Sequence, residues 1–120
     1  MTRVALLTGG ETAEREVALR SAQNVRTALE RRFTIQTFVL PKQIDLFLAA
    51  RDEFDVVVPV FHGRGGEDGT IQGFLETLGI PYVFSGVEAH AVGMDKVVCK
   101  ELARSYGLMT ADWNVLSPGD

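Results

Sequence analysis

The feature that most restricts the fold of this chain is an apolar run, Val56 to Val60, that leads directly into a glycine-rich loop. The loop, Phe61 to Gly69, contains four glycines and four charged or titratable residues: His62, Arg64, Glu67 and Asp68. An amphipathic segment follows, so the order is strand, loop and helix. In open α/β sheets, ligands bind beyond the carboxyl ends of the strands. The loop is therefore a candidate binding site, and its simplest alternative is a glycine turn with solvated charges.

Apolar runs and amphipathic segments alternate along the rest of the chain. Short runs that are apolar or rich in β-branched residues predict strands at Val4 to Leu7, Thr34 to Leu40, Phe54 to Val60 and Ile80 to Phe84. Helices are predicted at Glu14 to Arg32, after Pro41, after the glycine-rich loop, at Val87 to Met94 and at Asp95 to Tyr106. This alternation predicts an α/β fold, a Rossmann-like three-layer domain with a parallel sheet and helices on both faces.

Capping residues and side-chain periodicity refine these elements. Thr12 and Asp95 are the predicted N-caps of the first and last helices, whereas Gly79 and Gly107 are predicted helix ends. The buried face of the first helix is predicted to carry Val17, Ser21, Val25, Ala28 and Leu29. Residues Ala111 to Leu116 resemble a further strand. Because that strand would lack a partner, we expect the natural protein to continue.

Composition and charge exclude several kinds of partner. The net charge of -4, the pI near 5.1 and the lack of a basic run argue against nucleic acid and anionic membranes. No apolar run is long enough to span a membrane, so a cytoplasmic protein is predicted. Cys99 is the only cysteine, which rules out an internal disulfide, and it is predicted to be buried. The spacing of His62 and His90 does not match a zinc site, and no metal site is predicted.

Two loops leave the carboxyl ends of strands in the same predicted sheet. One is the glycine-rich loop, and the other lies within Gly9 to Val17. Neither contains a G-x-G-x-x-G or a P-loop motif. We expect the two loops to face each other and to offer carboxylates, an imidazole and backbone donors. This combination suits a small zwitterion such as an amino acid better than a phosphate.

Several motifs, taken together, resemble one known family. They are Gly9-Gly10 with Glu14-Arg15-Glu16-Val17, His62-Gly63 with Gly66-Glu67-Asp68-Gly69 and Ile71-Gln72-Gly73, Gly79-Ile80-Pro81-Tyr82, Ser85-Gly86-Val87 and Met94-Asp95-Lys96. In order and spacing they resemble the N-terminal part of the D-alanine-D-alanine ligases, and the resemblance covers essentially the whole chain.

The resemblance implies an ATP-grasp ligase that joins two D-alanines through an acylphosphate for peptidoglycan synthesis. It implies a substrate-binding, pre-ATP-grasp domain at residues 1–95 and the beginning of a truncated ATP-grasp domain at residues 96–120. ATP and Mg²⁺ would be bound mainly by segments beyond residue 120, so the chain alone is expected to be inactive. Similar proteins are homodimers, and we expect a homodimer here.

By motif position, the resemblance implies roles for four residues. As the predicted catalytic residue, Glu14 would hold the ammonium group of the first D-alanine, and Val17 would line the pocket for its methyl group. His62 would lie beside that substrate, and Lys96 would reach the ATP phosphates. The structural alternatives are a helix-dipole role for Glu14, core packing for Val17, a backbone-bonded loop histidine for His62 and an ordinary helix-start lysine for Lys96.

Two further questions stay open at the level of sequence. Glu67 and Asp68 either contact a ligand or cap the following helix, with Asp68 as the candidate N-cap. The whole chain could instead be a non-catalytic binding or interaction domain. It could also belong to a related ATP-grasp ligase whose acceptor is D-lactate or D-serine, because the resemblance assigns acceptor choice to later residues.

Overall fold

A computed structural model describes residues 1–119 of the chain. Within this range, three parallel strands form one sheet: β1 (Arg3–Gly9), β2 (Thr34–Leu40) and β3 (Val56–Val60). The order is β2-β1-β3, and Leu6 of the central strand lies opposite Thr37 of β2 and Val58 of β3. The predicted parallel sheet is confirmed, and β2 has the predicted bounds.

Helices cover both faces of the sheet, so the predicted three-layer arrangement is confirmed. On one face, α2 (Ile44–Ala50) and α3 (Thr70–Thr77) pack on the strands, and a short 3₁₀ helix (Arg51–Glu53) follows α2. The buried cluster of this face consists of Ala5, Leu7, Phe38, Leu40, Phe47, Val57, Ile71 and Leu75. On the other face, α1 (Arg15–Leu29) contacts β1 and β3.

The strand order creates a crevice at one point of the sheet edge. From β1 the chain crosses through α1 to β2 on one side, whereas β3 lies on the other side of β1. The loops that follow β1 and β3 therefore diverge to opposite faces of the sheet. A crevice opens between such loops at the carboxyl ends of the strands, which is where α/β proteins bind ligands.

The first helix is shorter than predicted, and its buried face is different. Thr12 is not the N-cap: Glu14 occupies that position, and its N–H donates to Thr12 Oγ1 at 3.2 Å. The buried residues are Ala18 and Ala22, whereas Val17 is 48% exposed. The predicted stripe was therefore rotated by about one residue, because the small alanines, and not the larger valine, let the helix approach the sheet closely.

The prediction of a fourth strand at Ile80 to Phe84 is wrong. The segment is reduced to one parallel bridge between Val57 and Tyr82, on the free edge of β3. Pro81 lacks an N–H group that could extend the ladder. Phe84 then adopts a φ of 87°, which ends the extended conformation.

The last two helices are α4 (Val87–Met94), with the predicted bounds, and α5 (Lys96–Ser105). Asp95 is confirmed as an N-cap, since its Oδ1 accepts hydrogen bonds from the N–H groups of Val97 (3.0 Å) and Val98 (3.1 Å). The prediction that Cys99 is buried is wrong: it is exposed, as α5 has no buried residue. No helix within residues 1–119 is long and apolar enough to cross a membrane.

The segment after α5 does not form the predicted strand. Residues 111–116 have no strand partner within the described part of the chain. Side chains hold the segment against α5 instead: Trp113 lies 5.2 Å from Lys100 Nζ and 4.2 Å from the guanidinium carbon of Arg104. Arg104 also pairs with Asp112 at 2.6 Å. Cation–π contacts thus replace the expected ladder hydrogen bonds.

Candidate functional site

The loops after β1 and β3 face each other across the crevice, as predicted. Thr12 Oγ1 donates to the carbonyl oxygen of His62 at 3.4 Å, which ties the two loops together. A cleft of about 370 Å³ lies between them and is lined on its apolar side by Leu40, Pro41 and Phe61. The loops thus form one continuous surface beyond the sheet edge.

Glu14 stands at the start of α1 with its carboxylate over the loop. The side chain lies so close to Gly63 that a methyl group there would collide with Glu14 Oε2. Within residues 1–119, the carboxylate makes no hydrogen bond or ion pair. It opens into a cleft of about 700 Å³ that is also lined by Glu67, Asp68, Asp95 and Arg64. An unpaired carboxylate in a predominantly acidic cleft favours a cationic ligand group.

Val17 lies one helical turn after Glu14, on the same face of α1. Its 48% exposure shows that core packing, the structural alternative for this residue, is wrong. Val17 is therefore an exposed apolar side chain on the helix face that carries the Glu14 carboxylate. A pocket role for Val17 stays a prediction.

The half-buried imidazole of His62 lies between α1 and the glycine-rich loop. Its Nε2 lies 3.1 Å from the hydroxyl of Ser21 on α1, and its Nδ1 lies 3.8 Å from Glu67 Oε1. The hydrogen-bond partner of the ring is therefore the side chain of Ser21, whereas the structural alternative had the ring bonded to a backbone carbonyl. The sequence interpretation missed Ser21, which it treated as part of the buried stripe. A hydroxyl within an otherwise apolar helix face was the available signal.

The two acidic residues of the loop organise its backbone. Glu67 Oε2 accepts from Gly63 N at 2.7 Å, so this carboxylate closes the loop and does not cap α3. Asp68 Oδ2 accepts from Gly65 N at 2.9 Å, and its Oδ1 accepts from Thr70 N at 3.1 Å. The N-cap position itself belongs to Gly69, with a φ of 95°. The prediction of Asp68 as N-cap was therefore wrong by one residue, although its carboxylate does satisfy the first N–H of the helix.

These contacts determine how Asp68 responds to pH. Partial burial acts to raise the pKa of Asp68, but hydrogen bonds from the Gly65 N–H and from the hydroxyl and N–H of Thr70 outweigh it, and the pKa lies below the usual 3.8. A pKa that is lower in the folded state means that ionised Asp68 stabilises the fold above the unfolded value. This stabilisation is lost as the pH falls through the folded pKa.

We therefore expect an Asp68→Asn variant to be less stable than the wild type at neutral pH, with a difference that shrinks below about pH 3.8. The free energy of unfolding of both proteins, measured by urea titration at a series of pH values, tests this expectation. A difference that stays constant down to about pH 2 would show that the charge of Asp68 is not involved.

Lys96 faces a different cleft from Glu14. This cleft of about 380 Å³ lies at the start of α5 and is also lined by Ser85, His90 and Glu67. Lys96 is exposed, whereas His90 Nδ1 lies 3.2 Å from the carbonyl oxygen of Glu67 and joins α4 to the loop. Glu67 thus lines both the cleft of Lys96 and the cleft of Glu14. The described residues contain no group of three histidine, cysteine, aspartate or glutamate side chains that could hold a metal ion.

Comparisons with known proteins point to one family. A family model described as D-ala D-ala ligase N-terminus matches residues 42–85. The chain is 46% identical over 114 residues to a D-alanine--D-alanine ligase of Pseudoalteromonas translucida, covering 95% of this chain and 37% of the relative. For an Anaeromyxobacter dehalogenans ligase the identity is 47% over 116 residues, covering 94% and 37%. The chain thus spans little more than a third of the length of these curated relatives.

Solved structures agree with the sequence relatives. The D-alanine--D-alanine ligase of Bacillus anthracis complexed with ATP superimposes with a TM-score of 0.86 at 33% identity, covering 100% of this chain and 41% of that protein. The corresponding ligase from Coxiella burnetii gives a TM-score of 0.84 at 29% identity, covering 100% and 46%. In sequence and in fold, the chain matches the N-terminal region of D-alanine-D-alanine ligases.

Proposed function

We propose that this chain supplies the site for the first amino acid in an ATP-dependent D-alanine-D-alanine ligase. The observation that carries the proposal is the carboxylate of Glu14, which lies over Gly63 and has no partner within residues 1–119. A carboxylate held in this way is ready to accept a charge-assisted hydrogen bond from an ammonium group. The proposed domains are a substrate-binding domain at residues 1–95 and the start of an ATP-grasp domain at residues 96–120.

In the proposed reaction, the carboxylate of the first D-alanine takes the terminal phosphoryl group of ATP; this forms an acylphosphate, and ADP leaves. The amine of the second D-alanine attacks the acyl carbon, the new amide bond forms, and phosphate leaves as the nitrogen loses its proton. The role of Glu14 is to pair with the ammonium group of the first D-alanine, which orients that substrate. Val17 would contact the methyl group, and His62 would border the same amino acid.

The cleft that Lys96 lines fits part of a nucleotide. The exposed ammonium of Lys96 offers one positive charge to a phosphate, while Glu67 on the rim of the cleft opposes a second negative group. The described residues do not fit a magnesium site, and no step of the proposal depends on one. Cytoplasmic location, a role in peptidoglycan synthesis and a homodimeric state are part of the same proposal.

The test is a Glu14→Gln substitution in the ligase that contains this chain. Glutamine keeps the shape and one acceptor but removes the charge that pairs with the ammonium group. The loss of about 1.5 to 3 kcal/mol corresponds to roughly ten- to two-hundredfold weaker binding of the first D-alanine. Steady-state kinetics with each substrate varied separately should show the effect in KM for the first D-alanine and in kcat/KM, with KM for ATP little changed.

Glu16→Gln is the matched control. Glu16 is also exposed and lies in the first turn of the same helix, so both substitutions remove one carboxylate from the positive end of α1. The helix-dipole alternative predicts equal effects on the melting temperature and none on KM. An unchanged KM for the first D-alanine in the Glu14 variant would remove this residue from the site.

A further inference from the structure

The ring of His62 has a defined environment at each of its two nitrogens. Ser21 Oγ approaches Nε2 to 3.1 Å from α1, and Glu67 Oε1 lies 3.8 Å from Nδ1 on the side of the loop. The side chain is 34% exposed. A loop histidine without such neighbours could rotate about its side-chain bonds, whereas the hydrogen bond to Ser21 and the nearby carboxylate of Glu67 favour one orientation of the ring.

The hydroxyl of Ser21 is used in an uncommon way for a residue in the middle of a helix. Such a serine usually bonds to the carbonyl one turn earlier or to water. Ser21 is half-buried, and its hydroxyl is hydrogen-bonded to the imidazole. Ser21 also lies two turns after Glu14, on the same face of α1. One helix face thus carries both the carboxylate and the hydroxyl that meets the histidine.

The chemistry of the two partners indicates which nitrogen carries the proton. An ionised carboxylate only accepts hydrogen bonds, so Glu67 favours a proton on Nδ1. In the neutral ring Nε2 is then the acceptor, and the hydroxyl of Ser21 is the donor that satisfies it. Both partners favour the same tautomer.

We propose that Ser21 is a positioning residue that fixes the orientation and the tautomer of His62, and through it the wall of the first amino-acid site. The contacts form a continuous series, because Glu67 also accepts the N–H of Gly63 at 2.7 Å, and Gly63 lies beneath Glu14. The effect on the amino acid rests on the proposed function, but the effect on the ring does not.

The state of the ring can be measured in the 120-residue chain itself by nitrogen-15 NMR of the imidazoles at alkaline pH, where free imidazole is neutral. The chain has two histidines, so a His62→Gln variant assigns the signals and His90 is an internal reference. We expect the proton of His62 on Nδ1 in the wild type and in Ser21→Thr, which keeps a hydroxyl. In Ser21→Ala the signals should shift towards a mixture of tautomers. Ser105→Ala, which removes a helix serine on α5, should leave them unchanged.

A second measurement separates this proposal from the proposed function. In the ligase that contains this chain, Ser21→Ala should raise KM for the first D-alanine about two- to tenfold, with Ser21→Thr close to wild type. An unchanged tautomer in Ser21→Ala would overturn the positioning role, whatever the kinetics. A changed tautomer with an unchanged KM would uphold control of the ring by Ser21 and would overturn the placement of His62 beside the first amino acid.

Discussion

A Gly9→Ala substitution is expected to destabilise the fold by about 3 kcal/mol or more. Gly9 has a φ of 110°, which L side chains rarely adopt, and its added methyl group would collide with the backbone oxygen of Leu40. That oxygen also accepts the N–H of Gly10 at 3.0 Å, so the end of β2 cannot move away without loss of this bond. The losses of folding free energy from backbone strain and from overpacking therefore add together. Urea unfolding followed by circular dichroism measures the loss.

Gly79→Ala separates the two contributions. Gly79 also has a positive φ, 68°, but an added methyl group would meet no atom within 4 Å. The expected cost is about 1 to 2 kcal/mol from the left-handed conformation alone. If both variants lose the same stability, the collision with Leu40 does not contribute, and the ends of β1 and β2 are less tightly joined than the structure indicates.

Phe47→Ala is expected to cost about 3 to 5 kcal/mol, enough to leave a domain of this size marginally stable. Phe47 is fully buried on α2, and its ring lies 5.5 Å from the ring of Phe38 and 6.3 Å from that of Phe74. Alanine would leave a cavity between α2 and the sheet and remove the edge-to-face contact. Thermal and urea unfolding should both show the loss.

The neighbouring residue on the same helix is the control. Leu46 is 61% exposed, so Leu46→Ala shortens an apolar side chain without opening a cavity. Leucine and alanine also have similar helix propensities. Its effect should stay within about 0.5 kcal/mol. A Phe47→Ala variant that is as stable as the Leu46→Ala variant would contradict the assignment of Phe47 to the core.

The elements that were predicted well are those with local signals at both ends. The β-branched run that became β2 is followed by Pro41, and its bounds match the prediction. Asp95 caps α5 through its side chain, and Gly79 and Gly107 follow helices with φ values of 68° and 73°, as expected of terminating glycines. Such signals act within a few residues, so one sequence is sufficient to interpret them.

The features that were missed depend on distant parts of the chain. The phase of the α1 stripe depends on how closely the helix approaches the sheet, which selects Ala18 and Ala22 for burial. A fourth strand at the edge of β3 would need backbone N–H groups that extend the ladder, and Pro81 has none. In the site, the prediction that the two loops face each other is confirmed. The bond between Ser21 and His62 joins residues 41 positions apart, and no local pattern encodes it.

The packing of Trp113 between Lys100 and Arg104 has a spectroscopic consequence. Trp113 is the only tryptophan in the chain. Its ring packs against side chains of α5, a helix without buried residues, and not against the sheet. Its fluorescence therefore reports the release of the segment after α5, whereas circular dichroism reports the loss of helices and strands throughout the domain. The two signals coincide during unfolding only if this segment and the sheet unfold as one cooperative unit.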